Sequence, residues 1–203
     1  RLKIGNIPEI RAHLLAESDF QQKSVRFLEN HDEKRAITAF GEARAQTAAL
    51  ITETLQGMHL YHDGQFEGKT VRLPVQLGRE PIEPQLTSVS EFYNKLLNIT
   101  NHEVFKKGTW TLLNQFPAWD GDYTYLNVLA WLWELEDQKR VVVVNNVDTL
   151  SSCRIVLNTK GYPDETIVVD LLNDQTYIRS SYEIRSEGLY IQLENFQGHI
   201  FSY

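Results

Sequence analysis

Sulfur is scarce: the 203 residues include one cysteine, Cys153, and one methionine, Met58. A single thiol excludes a disulfide framework and any zinc site built on cysteines, and it suits a reducing compartment, so a cytoplasmic location is the expectation. No run of about 18 apolar residues occurs, which excludes a membrane-spanning helix, and the opening Arg1-Leu2-Lys3-Ile4-Gly5 lacks the apolar core of a secretory leader. Basic charge is in deficit, with 20 Lys plus Arg against 27 Asp plus Glu and a formal charge of −7. Nucleic acid, whose phosphates call for a basic face, is therefore not an expected partner, nor is an anionic membrane surface. No low-complexity stretch marks a linker. What remains, 42% hydrophobic and 23% charged residues, is a globular composition that can bury a core without metals or disulfides.

The apolar period changes near residue 103. Before it, residues 7–22 carry Ile7, Ile10, Leu14, Leu15 and Phe20 at helical spacing. Ser24-Val25-Arg26-Phe27-Leu28-Glu29 is short and apolar and reads as a buried strand ending at Asn30-His31-Asp32. Residues 36–55, rich in Ala, Leu and Ile, predict one long helix closed by Gly57. Met58 to His62 reads as a second strand running into the turn Asp63-Gly64-Gln65, followed by an irregular stretch with Pro74, Pro81 and Pro84. Ser88 and Glu91 have the spacing of a capping box for a helix carrying Phe92, Leu96, Leu97 and Ile99. Beyond Val104, β-branched and aromatic segments alternate with turns such as Lys160-Gly161-Tyr162-Pro163-Asp164, the pattern of an antiparallel sandwich. The expectation is a multidomain α and β chain, with a βαβα region over residues 1–103 and an all-β domain over residues 104–203.

Asn30, His31 and Asp32 are the sharpest candidates for chemistry, because ligands of parallel α/β folds bind at the carboxyl ends of the strands. The alternative is that Asn30 and Asp32 turn the chain and cap the next helix, with His31 a satisfied neighbour. His59, His62 and Asp63 are metal-ligand types, but alternate residues of a strand face opposite sides, so the two histidines do not converge and no metal is assigned. Trp131 and Trp133 alternate on one strand face and read as core. Trp119, in Pro117-Ala118-Trp119-Asp120-Gly121, reads as an exposed platform. Asn98-Ile99-Thr100 is a formal glycosylation sequon, uninformative without a secretory context.

Phe27-Leu28-Glu29-Asn30-His31-Asp32 resembles the Phe-x-x-Asn-His-Asp motif at the end of the seventh barrel strand in the alpha-amylase family, glycoside hydrolase family 13. Leu55-Gln56-Gly57-Met58-His59-Leu60-Tyr61-His62-Asp63-Gly64-Gln65 is similar to that family's eighth strand, Gly-x-Pro-x-x-Tyr-Tyr-Gly-x-Glu, with Met58 and His59 where a Pro is usual and the acidic residue displaced to Glu67. The resemblance implies that residues 1–103 are the last βα units of a (β/α)8 TIM barrel and residues 104–203 the C-terminal antiparallel β-sandwich.

It also implies a parent enzyme acting on alpha-linked glucosides as a retaining glycoside hydrolase or transglycosidase, with a nucleophile and an acid/base about 5 to 5.5 Å apart. In the family both lie upstream of the His-Asp motif, the nucleophile in a Gly-x-Arg-x-Asp strand, and neither motif occurs in this chain. A C-terminal fragment, inert by itself, is the expectation. By the same resemblance Asp32 accepts hydrogen bonds from ring hydroxyls, His31 donates one as positive charge develops, and Asn30 orients the turn. Arg72 and Arg79 fall in the loop after the eighth strand, as solvated charges or as a clamp on an anionic or phosphorylated sugar, and Trp119 is a stacking candidate. No cofactor is implied. The partner is an alpha-glucan or oligosaccharide, and the unpaired strand edges of a partial barrel imply self-association. The alternatives are a non-catalytic amylase-like scaffold and a carbohydrate-binding module in residues 104–203.

Overall fold

The apolar stripe of residues 7–22 does not form one helix: it divides into α1 (Ile7–Leu14) and α2 (Ser18–Lys23). The Asn6 side chain starts α1 by accepting the Glu9 N–H at 3.2 Å, with Pro8 in the first turn where its missing N–H costs nothing. In this computed structural model, which describes Leu2 and residues 5–203, the break between the two helices is also a boundary between units. Ala16–Thr100 forms one unit, and the segment through Leu15 joins Asn101–Tyr203 to form the other.

Within Ala16–Thr100, α2 leads to β1 (Val25–Arg26), shorter than the strand expected over residues 24–29, because only Val25 and Arg26 find partners. Those partners are Met58 and His59 of β2 (Met58–His59), and the pairing is parallel. A parallel pair needs a crossover, and α3 (Ala36–Phe40) and α4 (Glu42–Thr54) supply it. One continuous helix was the expectation here. Gly41 breaks it, with φ 76° and ψ 163°, a region open to glycine alone. Gly57, at φ 113°, lets the chain return close to β1: a Cβ there would sit 2.5 Å from the Ser24 carbonyl oxygen. Residues 60–86 form no helix or strand, and α5 (Thr87–Thr100) then packs on α4. Ser88 lies inside α5 rather than capping it, and its hydroxyl donates to Glu42 Oε1 at 2.6 Å.

Among the described residues, the C-terminal unit adds to α1 the short α6 (Glu103–Lys107) and nine strands. These are β3 (Thr109–Leu112), β4 (Gln115–Phe116), β5 (Val128–Leu135), β6 (Gln138–Asn145), β7 (Ser151–Ile155), β8 (Glu165–Asp170), β9 (Gln175–Ser180), β10 (Leu189–Leu193) and β11 (Gly198–Ser202), with α7 (Ser181–Ser186) between β9 and β10. They form a six-stranded sheet, β3-β5-β6-β11-β8-β9, and a three-stranded sheet, β10-β7-β4, antiparallel throughout. Val128, Ala130, Val141 and Val143 of the larger sheet share one apolar core with Cys153, Ile155, Ile191 and Leu193 of the smaller. Burial pushes the Cys153 thiol up to about 12.

Trp131 and Trp133 are buried and alternate on one strand face, but that face is opposite Ala130 and so faces away from the core shared by the two sheets. Helices α1 and α6 pack against β5, and the Phe105 ring meets the Trp133 ring edge-on at 6.0 Å. A sheet covered on both faces accounts for the unbroken apolar runs of β5 and β6. The whole is a mixed α and β fold with mostly antiparallel sheets, and among the described residues no helix is long and apolar enough to cross a membrane.

Candidate functional site

Past β1 the chain runs through Phe27 and Leu28 to Glu29, which is only 1% exposed. A carboxylate in that position is tolerated only with a counter-charge and hydrogen bonds. Buried Arg35 supplies the charge: its Nη1 donates to Glu29 Oε1 at 2.7 Å, while the Ala36 N–H at the start of α3 donates to Oε2 at 2.5 Å. The same Nη1 donates to the Asp63 carbonyl at 2.6 Å and lies 2.8 Å from His62 Nδ1, and Nε donates to the Val71 carbonyl at 3.1 Å. One buried arginine thus ties the segment after β1 to the segment after β2 and to the loop at residue 71.

The turn of interest sits on that base. Asn30 Oδ1 accepts the N–H groups of Asp32 and Glu33, both at 2.9 Å, which fixes the turn and leaves the next two side chains projecting. His31 Nε2 and Asp32 Oδ2 are 3.2 Å apart, with the side chains 58% and 76% exposed. Arg72 Nε donates to the His31 carbonyl at 3.2 Å. Its loop is held in turn by Glu83, whose Oε2 accepts from the Thr70 hydroxyl at 2.7 Å and the Thr70 N–H at 2.8 Å. His31, Asp32 and Arg72 line an open cleft of about 290 Å³ with Pro74, Val75 and Gln76. Such a lining offers a carboxylate, an imidazole and a guanidinium to a ligand rich in hydroxyls.

Of the residues singled out in the sequence, Asn30, His31, Asp32 and Arg72 are brought together. Arg79 is exposed and does not line the cleft. Trp119 belongs to the C-terminal unit and is 56% exposed. Its turn is held by Asp122, which accepts from the Ala118 N–H at 3.1 Å and from the Thr124 N–H and hydroxyl at 2.8 and 2.7 Å. Burial alone would raise the Asp122 pKa, yet these donors bring it below the ordinary aspartate value.

His59 and His62 serve different partners. His59 Nδ1 lies 3.6 Å from Glu53 Oε2, whereas His62 meets Arg35. Glu53, on α4, is 5% exposed, and burial pushes its pKa up even though the Tyr61 hydroxyl donates to it at 2.6 Å. Among the described residues no group of three or more His, Cys, Asp or Glu is placed to hold a metal. Sequence reasoning missed Glu29, Arg35 and Glu53 as supports. The available signal was charge inside apolar stretches, Glu29 at the end of Val25-Arg26-Phe27-Leu28 and Glu53 at the end of the Ala-rich helix.

No family model matches the sequence, and the comparison with curated proteins finds no match. Solved structures do share the fold. An alpha-amylase from Lactobacillus plantarum superposes at a TM-score of 0.72 with 15% identity, covering 98% of this chain and 43% of its own. A noncanonic maltogenic alpha-amylase from Thermotoga neapolitana gives 0.67 and 18%, covering 89% of this chain and 41% of its own. A trehalose-6-phosphate hydrolase from Bacillus licheniformis gives 0.62 and 14%, covering 97% and 47%. The chain spans less than half the length of each. The alpha-amylase resemblance seen in the short His-Asp motif therefore extends over nearly the whole chain as a resemblance of fold.

Proposed function

We propose that this chain is the C-terminal portion of a retaining glycoside hydrolase or transglycosidase acting on alpha-linked glucosides. In this reading β1 and β2 are the last two strands of a (β/α)8 barrel and the nine-stranded unit is its C-terminal sandwich. The observation that carries the reading is the His31–Asp32 pair, 3.2 Å apart in the loop that follows the carboxyl end of a parallel strand, in a fold shared with alpha-amylases. Asp32 accepts hydrogen bonds from ring hydroxyls and favours the distorted sugar. His31 donates to a hydroxyl as the ring carbon becomes electron-poor, which assists only to the extent that the bond is stronger in the transition state than before it. Asn30 sets the turn, and Arg72 closes one side of the cleft. The nucleophile and the acid/base come from chain outside these residues, so residues 1–203 alone turn over no substrate.

The full gene product, assayed on maltotriose and on 4-nitrophenyl alpha-glucoside, tests this. Bonds to ring hydroxyls that strengthen in the transition state supply several kcal/mol, so Asp32→Asn lowers kcat by at least about a hundredfold. An unchanged kcat in Asp32→Asn contradicts the assignment. The two parallel strands have no further partner strand among the described residues, and the isolated chain therefore self-associates. Light scattering that reports a strict monomer at all concentrations contradicts that part. A second reading, sugar binding without catalysis, draws on the exposed Trp119 ring and is favoured if the full product binds maltotriose without cleaving it.

A further inference from the structure

We propose that β9 is an interface with a second copy of this chain, the two β9 strands pairing antiparallel about Ile178 so that their six-stranded sheets join edge to edge. The surface lies wholly within the C-terminal unit, apart from the strand edges of β1 and β2, so it stands whether or not the His31–Asp32 reading does. β9 closes one end of its sheet, and among the described residues no strand lies beyond it. The Ser181 N–H donates to the Asp164 carbonyl at 2.8 Å, which sets the phase of the β8–β9 ladder. Hydrogen-bonded pairs alternate in such a ladder. Tyr177 and Arg179 therefore turn their N–H and carbonyl groups towards β8, and Thr176, Ile178 and Ser180 turn theirs to the open edge. The Ile178 carbonyl accepts from Arg179 Nη1 at 2.9 Å and keeps a second lone pair for a partner strand.

The edge lacks the guards that keep sheets apart, which are Lys, Pro, a bulge or an inward charge. Gln175–Ser180 contains no Lys, Pro, Asp or Glu and pairs with β8 residue for residue. Its one charge, Arg179, lies 5.1 Å over the Tyr177 ring. Val168 belongs to the core shared by the two sheets, so its partner Tyr177 faces inward with Arg179, and Thr176, Ile178 and Ser180 face outward. On that outward face Val142, Val144 and Ile200 are fully buried, whereas Ile167 and Ile178, paired across β8 and β9, are 61% and 58% exposed. The hairpin that presents them is fixed at its turn by buried Asp170, which accepts the Leu172 and Asn173 N–H groups at 3.1 and 3.3 Å and lies 2.6 Å from His199 Nδ1. Burial pushes the Asp170 pKa up, but His199 and these donors bring it below the ordinary aspartate value.

A second copy is the occupant because β9 complements itself. With Ile178 opposite Ile178 of the other copy, Thr176 meets Ser180 and Tyr177 meets Arg179, so each ring gains a guanidinium from across the junction. Ile167 and Ile178 of the two copies then form one row of four. Sliding the register by two residues towards Ser180 sets Arg179 against Arg179, and like charges directly opposite are destabilising. Six residues a copy fall short of the roughly 20–30 a side of a standard interface, so the dimer is weak and depends on concentration.

Cysteine cross-linking tests the register, since the one native thiol, Cys153, is buried. Ile178→Cys should form a disulfide-linked dimer in air at least about tenfold faster than Thr176→Cys. Directly paired residues lie about 5.5 Å apart at Cα, within disulfide reach, while Thr176 stands four residues, roughly 14 Å, from its own counterpart. In the unsubstituted chain, NMR should show amide exchange at Ile178 and Ser180 slowing as concentration rises. Ile178→Lys abolishes that slowing, and an equimolar mixture of Ile178→Lys with Ile178→Glu restores it. Equal cross-linking rates overturn the proposal, as does exchange at Ile178 that is independent of concentration. Association through β1 and β2 alone slows exchange in the unit Ala16–Thr100 and leaves Ile178 unchanged, which likewise overturns the β9 interface.

Discussion

The C-terminal unit buries Val141, Val142, Val143 and Val144 completely, while the unit Ala16–Thr100 leaves Val25, Phe27, Met58 and Leu60 between 43% and 67% exposed. The difference follows from strand pairing. Every strand of the C-terminal unit lies in a sheet of three or six, and the two sheets close a common apolar core. Two parallel dipeptides cannot close a core in that way. Their unit buries apolar residues between α4 and α5, such as Leu50, Ile51 and Leu96, but beside the strands it buries charge, with Glu29, Arg35 and Glu53 all at least 95% buried, and its apolar strand residues stay exposed.

The sharpest way to separate them is Arg35→Ala, which leaves the Glu29 carboxylate buried without its counter-charge at a cost of about 3–5 kcal/mol. Native-state hydrogen exchange should show the loss confined to Ala16–Thr100. Equal loss in β5 and β6 would erase the contrast between the units. The matching change on the other side is Ile155→Ala, which opens a cavity in the shared core and costs about 2–5 kcal/mol. Urea unfolding followed by the fluorescence of Trp131 and Trp133 measures it. Smaller still is Gly41→Ala: nothing lies within 4 Å of the added Cβ, so the cost is the backbone strain alone, about 1–3 kcal/mol. A variant as stable as the parent would mean that α3 and α4 can straighten into one helix.

Acid should act on the two units in opposite directions. The Asp170 pKa is lowered in the fold, so its contribution is complete above the unfolded aspartate value and is lost as pH falls through the folded one. The Glu53 pKa is raised by burial, so the folded state takes up the proton first and gains stability as pH falls from neutral through the folded value towards the unfolded one. Asp170→Asn should flatten the acid limb of the C-terminal unit, and Glu53→Gln should remove the gain in the other. Stability curves against pH that these variants leave unchanged would contradict the assignments.

The strands beyond residue 104 were legible because their β-branched runs are buried on both faces, which leaves a signal in almost every residue of β5 and β6. β9 was not, because Gln175–Ser180 is an edge strand with five of its six residues exposed and no apolar alternation to detect. The break at Gly41 was hidden by the Ala-rich sequence on both sides, where a lone glycine is tolerated in a helix. The capping-box spacing at Ser88 misled, since the Ser88 hydroxyl is taken by Glu42, 46 residues away in sequence. Asn30 was readable as a turn residue from its type alone. The support under His31 and Asp32 was not, because Arg35 reaches Glu29, Asp63 and Val71 through space and no local pattern encodes those partners.

The central claim, that His31 and Asp32 are the sugar-holding part of a glycosidase site completed by other chain, is tested most directly by reading the coding sequence upstream of the Arg1 codon. The account predicts a barrel with a Gly-x-Arg-x-Asp strand followed by a strand ending in Glu. An open reading frame without those two carboxylates would contradict it and would leave the molecule as a sugar-binding or scaffold protein.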